Sequence, residues 1–252
     1  MITVIWTGML EDWPQDQILL KKLPDKYHVI NLPLSKIVPT ALSDHDKNRI
    51  LEAEQLIVTS QNSARLLKVY LENNKIKKKI FCFGQQTYQQ IIKIKDVDPV
   101  FDSLSQTAQE FADFLVKNLN KSKRCLYLAA KQSAYPIAQQ LKTKNFDCED
   151  LKIYESQVLK DDWLLNKSTL SSLAPSTTVL CFFSPSSVAN FIELAQSQLD
   201  KEIITGLKMA ICLCIGRTTL KSAETYFKNC KLSYDISKKS LIATLIALGD
   251  LA

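Results

Sequence analysis

Two stretches of this chain follow one plan. "LIVTSQNSARLLKVY" (residues 56–70) and "LCFFSPSSVANFIEL" (residues 180–194) each open as an apolar strand and end as a helix, with a knuckle of hydroxyl side chains between. Each is followed by a second strand that runs into Gly-x-x-Thr, as "IFCFGQQTYQQI" in the first case and "AICLCIGRTTLKSA" in the second. Gly84 and Thr87 therefore match Gly216 and Thr219. An internal repeat of this kind predicts two similar α/β halves whose strand ends carry equivalent loops.

The rest of the chain extends the pattern. Strand-like runs fall at residues 2–6, 28–32, 55–59, 79–84, 99–102, 123–129, 150–154, 177–184, 208–216 and 231–236, with helical stretches between most of them. Most are apolar throughout rather than alternating, which predicts parallel sheets covered on both faces. So many strands in 252 residues exceed what one compact doubly wound sheet holds, so two sheets are expected. Helix starts are marked as well: Thr107 with Glu110 reads as a capping box, and Ser237 or Ser240 as the cap of the last helix.

In a parallel sheet each strand hands over to a helix whose first N–H groups and positive dipole end are free. Ser and Thr cap such starts, Gly lets the backbone turn closely, and the remaining donors suit an anion. One such turn is explained by capping alone. Four in two matched pairs point to a ligand site served by the loops of both halves.

Other chemistries have less support. Both histidines, His28 and His45, lack a neighbouring Cys, Asp and Ser set, and no metal site is expected. The seven cysteines are an odd number and sit mostly in apolar strands, as buried hydrophobes do in a reducing compartment. The net charge of +6 comes almost wholly from lysine. The run "NNKIKKKI" (residues 73–80) lacks interleaved aromatics and reads as a solvated helix end, so no nucleic-acid partner is expected. No apolar run is long enough to span a membrane, and the start "MITVIW" has no basic lead. A cytoplasmic location and a monomer are the expectations.

The order of these pieces resembles the uroporphyrinogen-III synthase family. "LPLSKIVP", "LIVTSQNSA", "FCFGQQT", "LKIYESQ", "FFSPSSVANF" and "CIGRTTLKSA" match that family's motifs in order and spacing across nearly the whole chain. Trp6-Thr7-Gly8 stands where many bacterial members carry an Arg after the first strand. The resemblance implies two flavodoxin-like parallel-sheet domains joined by a two-stranded connection. One domain would be discontinuous (residues 1–34 plus 159–252) and the other inserted (residues 35–158).

It also implies a reaction. The family's substrate is hydroxymethylbilane, a linear tetrapyrrole with eight carboxylates, which is closed with inversion of ring D and loss of water, without cofactor or metal. The uncatalysed closure gives isomer I, so the protein chiefly controls geometry. Tyr154, matching the family's linker tyrosine, is the candidate donor to the departing ring-A hydroxyl. Thr59, Ser60, Gly84, Thr87, Ser184, Ser186, Gly216, Thr218 and Thr219 are the positions expected to grip carboxylates through N–H and hydroxyl groups, while Arg217 and Lys131 are candidates for ion pairing with them. A transient contact with hydroxymethylbilane synthase fits the same reading. The rival is a non-catalytic two-domain protein that binds an anion or a tetrapyrrole.

Overall fold

In the computed structural model, residues 1–71, 77–105, 107–133, 135–160 and 167–250 are described. The first elements are β1 (Ile2–Trp6), α1 (Trp13–Leu20), β2 (Tyr27–Asn31), β3 (Ser35–Pro39), α2 (Asp44–Glu52), β4 (Gln55–Val58) and α3 (Gln61–Leu71). Next come β5 (Lys78–Phe83), α4 (Gln85–Ile91), β6 (Val97–Asp102), α5 (Ala108–Asn118), β7 (Cys125–Ala130), α6 (Ile137–Thr143) and β8 (Cys148–Val158). The chain continues through α7 (Lys167–Ser171), β9 (Thr178–Phe182), α8 (Pro185–Gln198), α9 (Lys201–Leu207), β10 (Ile211–Cys214), α10 (Arg217–Ala223), β11 (Asn229–Leu232) and α11 (Lys238–Gly249). It divides into two compact units, Met1–Lys36 with Gln157–Ala252, and Ile37–Ser156.

Each unit is built on its own sheet. The first has the order β11-β10-β9-β1-β2, with every pair parallel. The second has the order β3-β8-β7-β4-β5-β6 and is parallel from β8 to β6. Its edge strand β3 runs against β8: Thr40 N donates to Ile153 O and, at the far end of the same strand pair, Leu159 N donates to Leu34 O. Counting strands along the chain within each unit, the first sheet reads 2-1-3-4-5, the flavodoxin order. The parallel part of the second reads 3-2-1-4-5, the order that begins a dinucleotide-binding sheet. Both orders reverse once, at β1/β9 and at β4/β7, and such a reversal opens a crevice outside the carboxyl ends of the strands.

Strand residues alternate between two buried faces, which is why the strands read as continuously apolar. In β9, Leu180 and Phe182 join one core with Val188, Phe191 and Ile192 of α8. Val179 and Cys181 join the other, with Trp6 and with Leu241 and Leu245 of α11. In β4, Leu56 and Val58 pack against Ala64 and Leu67 of α3, while Ile57 packs with Phe111 and Leu115 of α5. Each of these fully buried large side chains contributes about 1.5–3 kcal/mol by leaving water.

The strand ends differ from the sequence expectation where a cap or helix competes for the backbone. The run at 177–184 is a strand only over Thr178–Phe182 because Ser184 turns to cap α8. The run at 208–216 shortens to Ile211–Cys214, since Lys208 N still bonds Ile204 O at the end of α9. The run at 150–154 lengthens to Cys148–Val158. In "NNKIKKKI", residues 73–76 lie outside the described residues, and the end of the run is not the solvated helix end expected: Lys78 opens β5, buried, with Nζ donating to the carbonyls of Leu51 and Ala53. Burial there pushes the Lys78 ammonium below its ordinary pKa. Thr107 and Glu110 form the expected reciprocal cap of α5, and Ser237, not Ser240, caps α11.

The first and last helices of the discontinuous unit are tied through a buried carboxylate. Asp16 is 1% exposed. It accepts from the Trp6 indole Nε1 at 2.8 Å and from Lys238 Nζ at 2.7 and 2.8 Å. Lys238 also reaches Asp12 at 3.1 Å. Gly8 leaves the space this needs, because a Cβ there would lie 3.0 Å from Asp16 Oδ2. Removing one partner of a buried pair strands the other charge. Lys238→Met is therefore expected to destabilise this unit by about 3–5 kcal/mol, read as a lower urea midpoint in tryptophan fluorescence. Lys238→Arg should recover part of the loss.

Candidate active site

The hydroxyl knuckles fall at the carboxyl ends of the strands in both units. In the inserted unit, Thr59 and Ser60 follow β4 directly, and Ser60 caps α3 by accepting from Ser63 N at 3.0 Å. Side-chain alternation sends the two hydroxyls to opposite faces of the sheet. Thr59 shares its face with Ile57 and Tyr127, which pair across β4 and β7. Its Oγ1 lies 3.0 Å from the Tyr127 hydroxyl, which in turn lies 3.3 Å from Ser133 Oγ.

Ser60 faces the other way and meets Tyr154. The two hydroxyl oxygens are 3.0 Å apart. Ser60 Oγ donates to Ser63 Oγ at 3.0 Å, and Ser63 Oγ donates to the Leu128 carbonyl, also at 3.0 Å. Tyr154 reaches this face because β8 carries a bulge. Ala129 pairs with Lys152, but the next residue, Ala130, pairs with Tyr154, so Ile153 is extra. An uninterrupted strand would send Ile153 and Tyr154 to opposite faces. The bulge puts both in the core under α3.

Tyr154 is 7% exposed. Burial raises its phenol above the ordinary pKa, while its bonds to Ser60, Ser63 and Asn62 pull the other way and the neighbouring Tyr127 phenol adds to the rise. The group therefore keeps its proton through neutral pH and serves as a hydrogen-bond donor. Lys131, at the end of β7, is paired with Glu155 at 3.0 Å, so its charge is already matched.

In the discontinuous unit, Ser184 caps α8 reciprocally. Its Oγ accepts from Ser187 N and its own N donates to Ser187 Oγ, both at 3.1 Å. Ser186 is exposed, with its Oγ 3.0 Å from Ser184 Oγ. The Gly-x-x-Thr loops repeat one burial pattern in both units: two exposed residues after the glycine, then a buried threonine, Thr87 at 4% and Thr219 at 2% exposure. Arg217 and Thr218 are the exposed pair after Gly216. The helices that follow, α4 and α10, have seven residues each, so they offer free amides more than a strong dipole.

The two matched glycines differ in what they require. Gly84 has φ +82°, a conformation that a Cβ disfavours. Gly216 has φ −155°, open to any residue, and a Cβ there would meet only the Ile236 side chain, at 3.7 Å. Among the described residues nothing requires a glycine at 216.

Sequence reasoning missed Tyr127, Ser133 and the hydroxyl of Ser63. Tyr127 sits inside "CLYLAA" and reads as a core aromatic. Only the β4–β7 pairing, between segments far apart in the chain, brings its hydroxyl to Thr59.

Gly84→Ala is expected to destabilise by roughly 1–2 kcal/mol, whereas Gly216→Ala should leave thermal unfolding within about 0.5 kcal/mol of the parent while weakening ligand binding. Equal losses of stability would contradict this contrast.

The comparisons with known proteins follow the same lines. A family model described as uroporphyrinogen-III synthase HemD matches residues 25–236. The uroporphyrinogen-III synthetase structure from Helicobacter pylori superimposes with a TM-score of 0.62 at 17% identity, covering 98% of this chain and 100% of that one. A mutant uroporphyrinogen III synthase from the extremely thermophilic bacterium Thermus thermophilus gives a TM-score of 0.60 at 15% identity, covering 99% of this chain and 98% of that one. Comparison with curated protein sequences gave no match. At these identities the two structures speak for the fold, and the family model, which spans well over half of the chain, speaks for the family. This chain belongs to the uroporphyrinogen-III synthase family.

Proposed function

We propose that the chain closes hydroxymethylbilane to uroporphyrinogen III, as a cyclising lyase of tetrapyrrole biosynthesis. The observation that carries this is the family match over residues 25–236. The local geometry adds to it, since a protonated phenol stands beside the hydroxyl-lined end of β4.

In this reading Tyr154 donates its proton to the departing ring-A hydroxyl. The C–O bond breaks, water leaves, and ring A becomes the electrophile. The substituted α-carbon of ring D attacks it, the resulting spiro intermediate fragments, and closure follows at the free α-carbon of ring D. That last step releases one ring proton, which restores the phenol. Tyr154 suits the first step because burial keeps it protonated.

The remaining task is to hold a flexible polyanion in one folded shape. We assign this to the amides and hydroxyls of Thr59, Gly84, Thr87, Ser184, Ser186, Gly216, Thr218 and Thr219, with Ser60 beside Tyr154. A single anion at an exposed helix start gains only about 0.3–1 kcal/mol, so several such contacts must act together. Arg217 is exposed and adds a guanidinium to the Gly216 loop. An overall charge of +6 favours approach of an anionic substrate.

The test is a coupled assay. Porphobilinogen, hydroxymethylbilane synthase and this protein are incubated, the products oxidised, and the porphyrin isomers separated. A dominant isomer III is expected. Isomer I alone, from folded protein, would overturn the synthase reading. Tyr154→Phe should lower kcat about a hundred-fold or more with little change in KM.

A further inference from the structure

Hydroxyl groups carry one proton each, and this settles the direction of the bonds around Tyr154. Ser63 Oγ gives its proton to the Leu128 carbonyl, which can only accept. Ser63 Oγ must then accept from Ser60 Oγ. The Ser60 proton therefore points at Ser63, and Ser60 accepts twice: from Ser63 N and from the Tyr154 hydroxyl. The chain runs one way, from Tyr154 through Ser60 and Ser63 to a backbone carbonyl inside β7.

A second arrangement of the same atoms has a distinct use. If the Ser60 hydroxyl turns to the Tyr154 oxygen, it donates to that oxygen and leaves the phenol proton free for another acceptor. It also sets the Ser60 and Ser63 oxygens 3.0 Å apart with no proton between them, so this state is the less stable one while Tyr154 is neutral. Once Tyr154 has given its proton away, a donor at its oxygen becomes the stronger interaction, because charge-assisted hydrogen bonds exceed neutral ones.

We propose that Ser60 and Ser63 are positioning residues: they hold the Tyr154 phenol as a parked donor, and the Ser60 hydroxyl swings from Ser63 to the Tyr154 oxygen when that proton passes to the substrate's leaving hydroxyl. The proton goes from Tyr154 to the departing oxygen as the C–O bond breaks. Ser60 keeps its own proton and changes only its acceptor. This rests on the synthase reading and deepens it, because Ser60 then acts through Tyr154 rather than by gripping a carboxylate. The groups that bear on the phenol are Ser60, Ser63 and Asn62 from α3 and the turn before it, and Tyr127 from β7. The Lys131–Glu155 pair stands one residue further along β8.

The two serines make opposite predictions when truncated. Ser60→Ala removes the partner that stabilises the phenolate, so the Tyr154 titration midpoint rises. Ser63→Ala removes the Ser60 acceptor and turns the Ser60 hydroxyl permanently onto Tyr154, which outweighs the loss of Ser63's own smaller bond to the phenol, so the midpoint falls. The measurement is fluorine NMR of the full chain carrying 3-fluorotyrosine, with Tyr154→Phe to assign the resonance. Shifts of opposite sign are expected; shifts of one sign, or none, would overturn the proposal. Should Ser63→Ala fail to fold, because it leaves the Leu128 carbonyl unpaired, Ser60→Ala alone decides, and an unmoved midpoint rejects the idea. Ser60→Ala is also expected to lower kcat about ten-fold with KM unchanged. A raised KM at constant kcat would return Ser60 to simple substrate binding. Because the NMR readout needs no turnover, absence of isomer III in the coupled assay would fail the synthase reading without moving these resonances.

Discussion

In a parallel sheet every strand points the same way, so every following helix begins at the same edge. The constraint is geometric: a right-handed strand–helix–strand unit carries the chain back along the sheet face before the next strand starts. The free amides of the helices that follow parallel strands are thereby gathered on one side, whatever the ligand. Both units of this protein obey it. Their caps at Ser60, Gly84, Ser184 and Gly216 sit where β4, β5, β9 and β10 end. The remaining features of the site are ways of using that edge.

The two units use it differently. In the inserted unit, a bulge at Ile153 brings Tyr154 under α3, and two hydroxyl chains form on opposite faces of β4, one through Thr59 and Tyr127 and the other through Ser60 and Tyr154. In the discontinuous unit, the end of β1 is closed by apolar and charged packing instead. Trp6 lies 4.7 Å from the ring of Phe183, its indole bonds Asp16, and Lys238 sits over Phe183 at 5.4 Å. Trp6-Thr7-Gly8, which departs from an Arg common in the family, belongs to this closure. Thr7 bonds the Cys181 carbonyl and Gly8 makes room for Asp16. The buried phenol of Tyr154 thus lies in the inserted unit, while the discontinuous unit carries the Ser184 cap and the exposed Arg217.

Much of the fold was legible in the chain because its signals are local. Strands buried on both faces must be apolar at every position, and "LCFF" and "ICLC" obey this over four residues each. Capping is equally local, and the Thr107–Glu110 box holds as read. Strand ends were less legible, since at Ser184 and Lys208 the same backbone groups are claimed by a cap or a helix end. Lys78 was misread for a related reason. A lysine in a basic run reads as solvated, and only tertiary packing supplies the two carbonyls that hold it inside.

The sequence by itself determined two parallel sheets and the repeated hydroxyl and Gly-x-x-Thr loops, because each depends on residue types over a few consecutive positions; Tyr154 drew notice only through the resemblance of "LKIYESQ" to a family motif. Tertiary structure alone decided which hydroxyls meet. Tyr127 reaches Thr59 across a pairing of β4 with β7, Tyr154 reaches Ser60 only through an extra residue in β8, and Gly216, unlike Gly84, is free of any conformational need for glycine. Strand order and register join segments far apart in the chain, and a shift of one residue turns a side chain to the other face of the sheet.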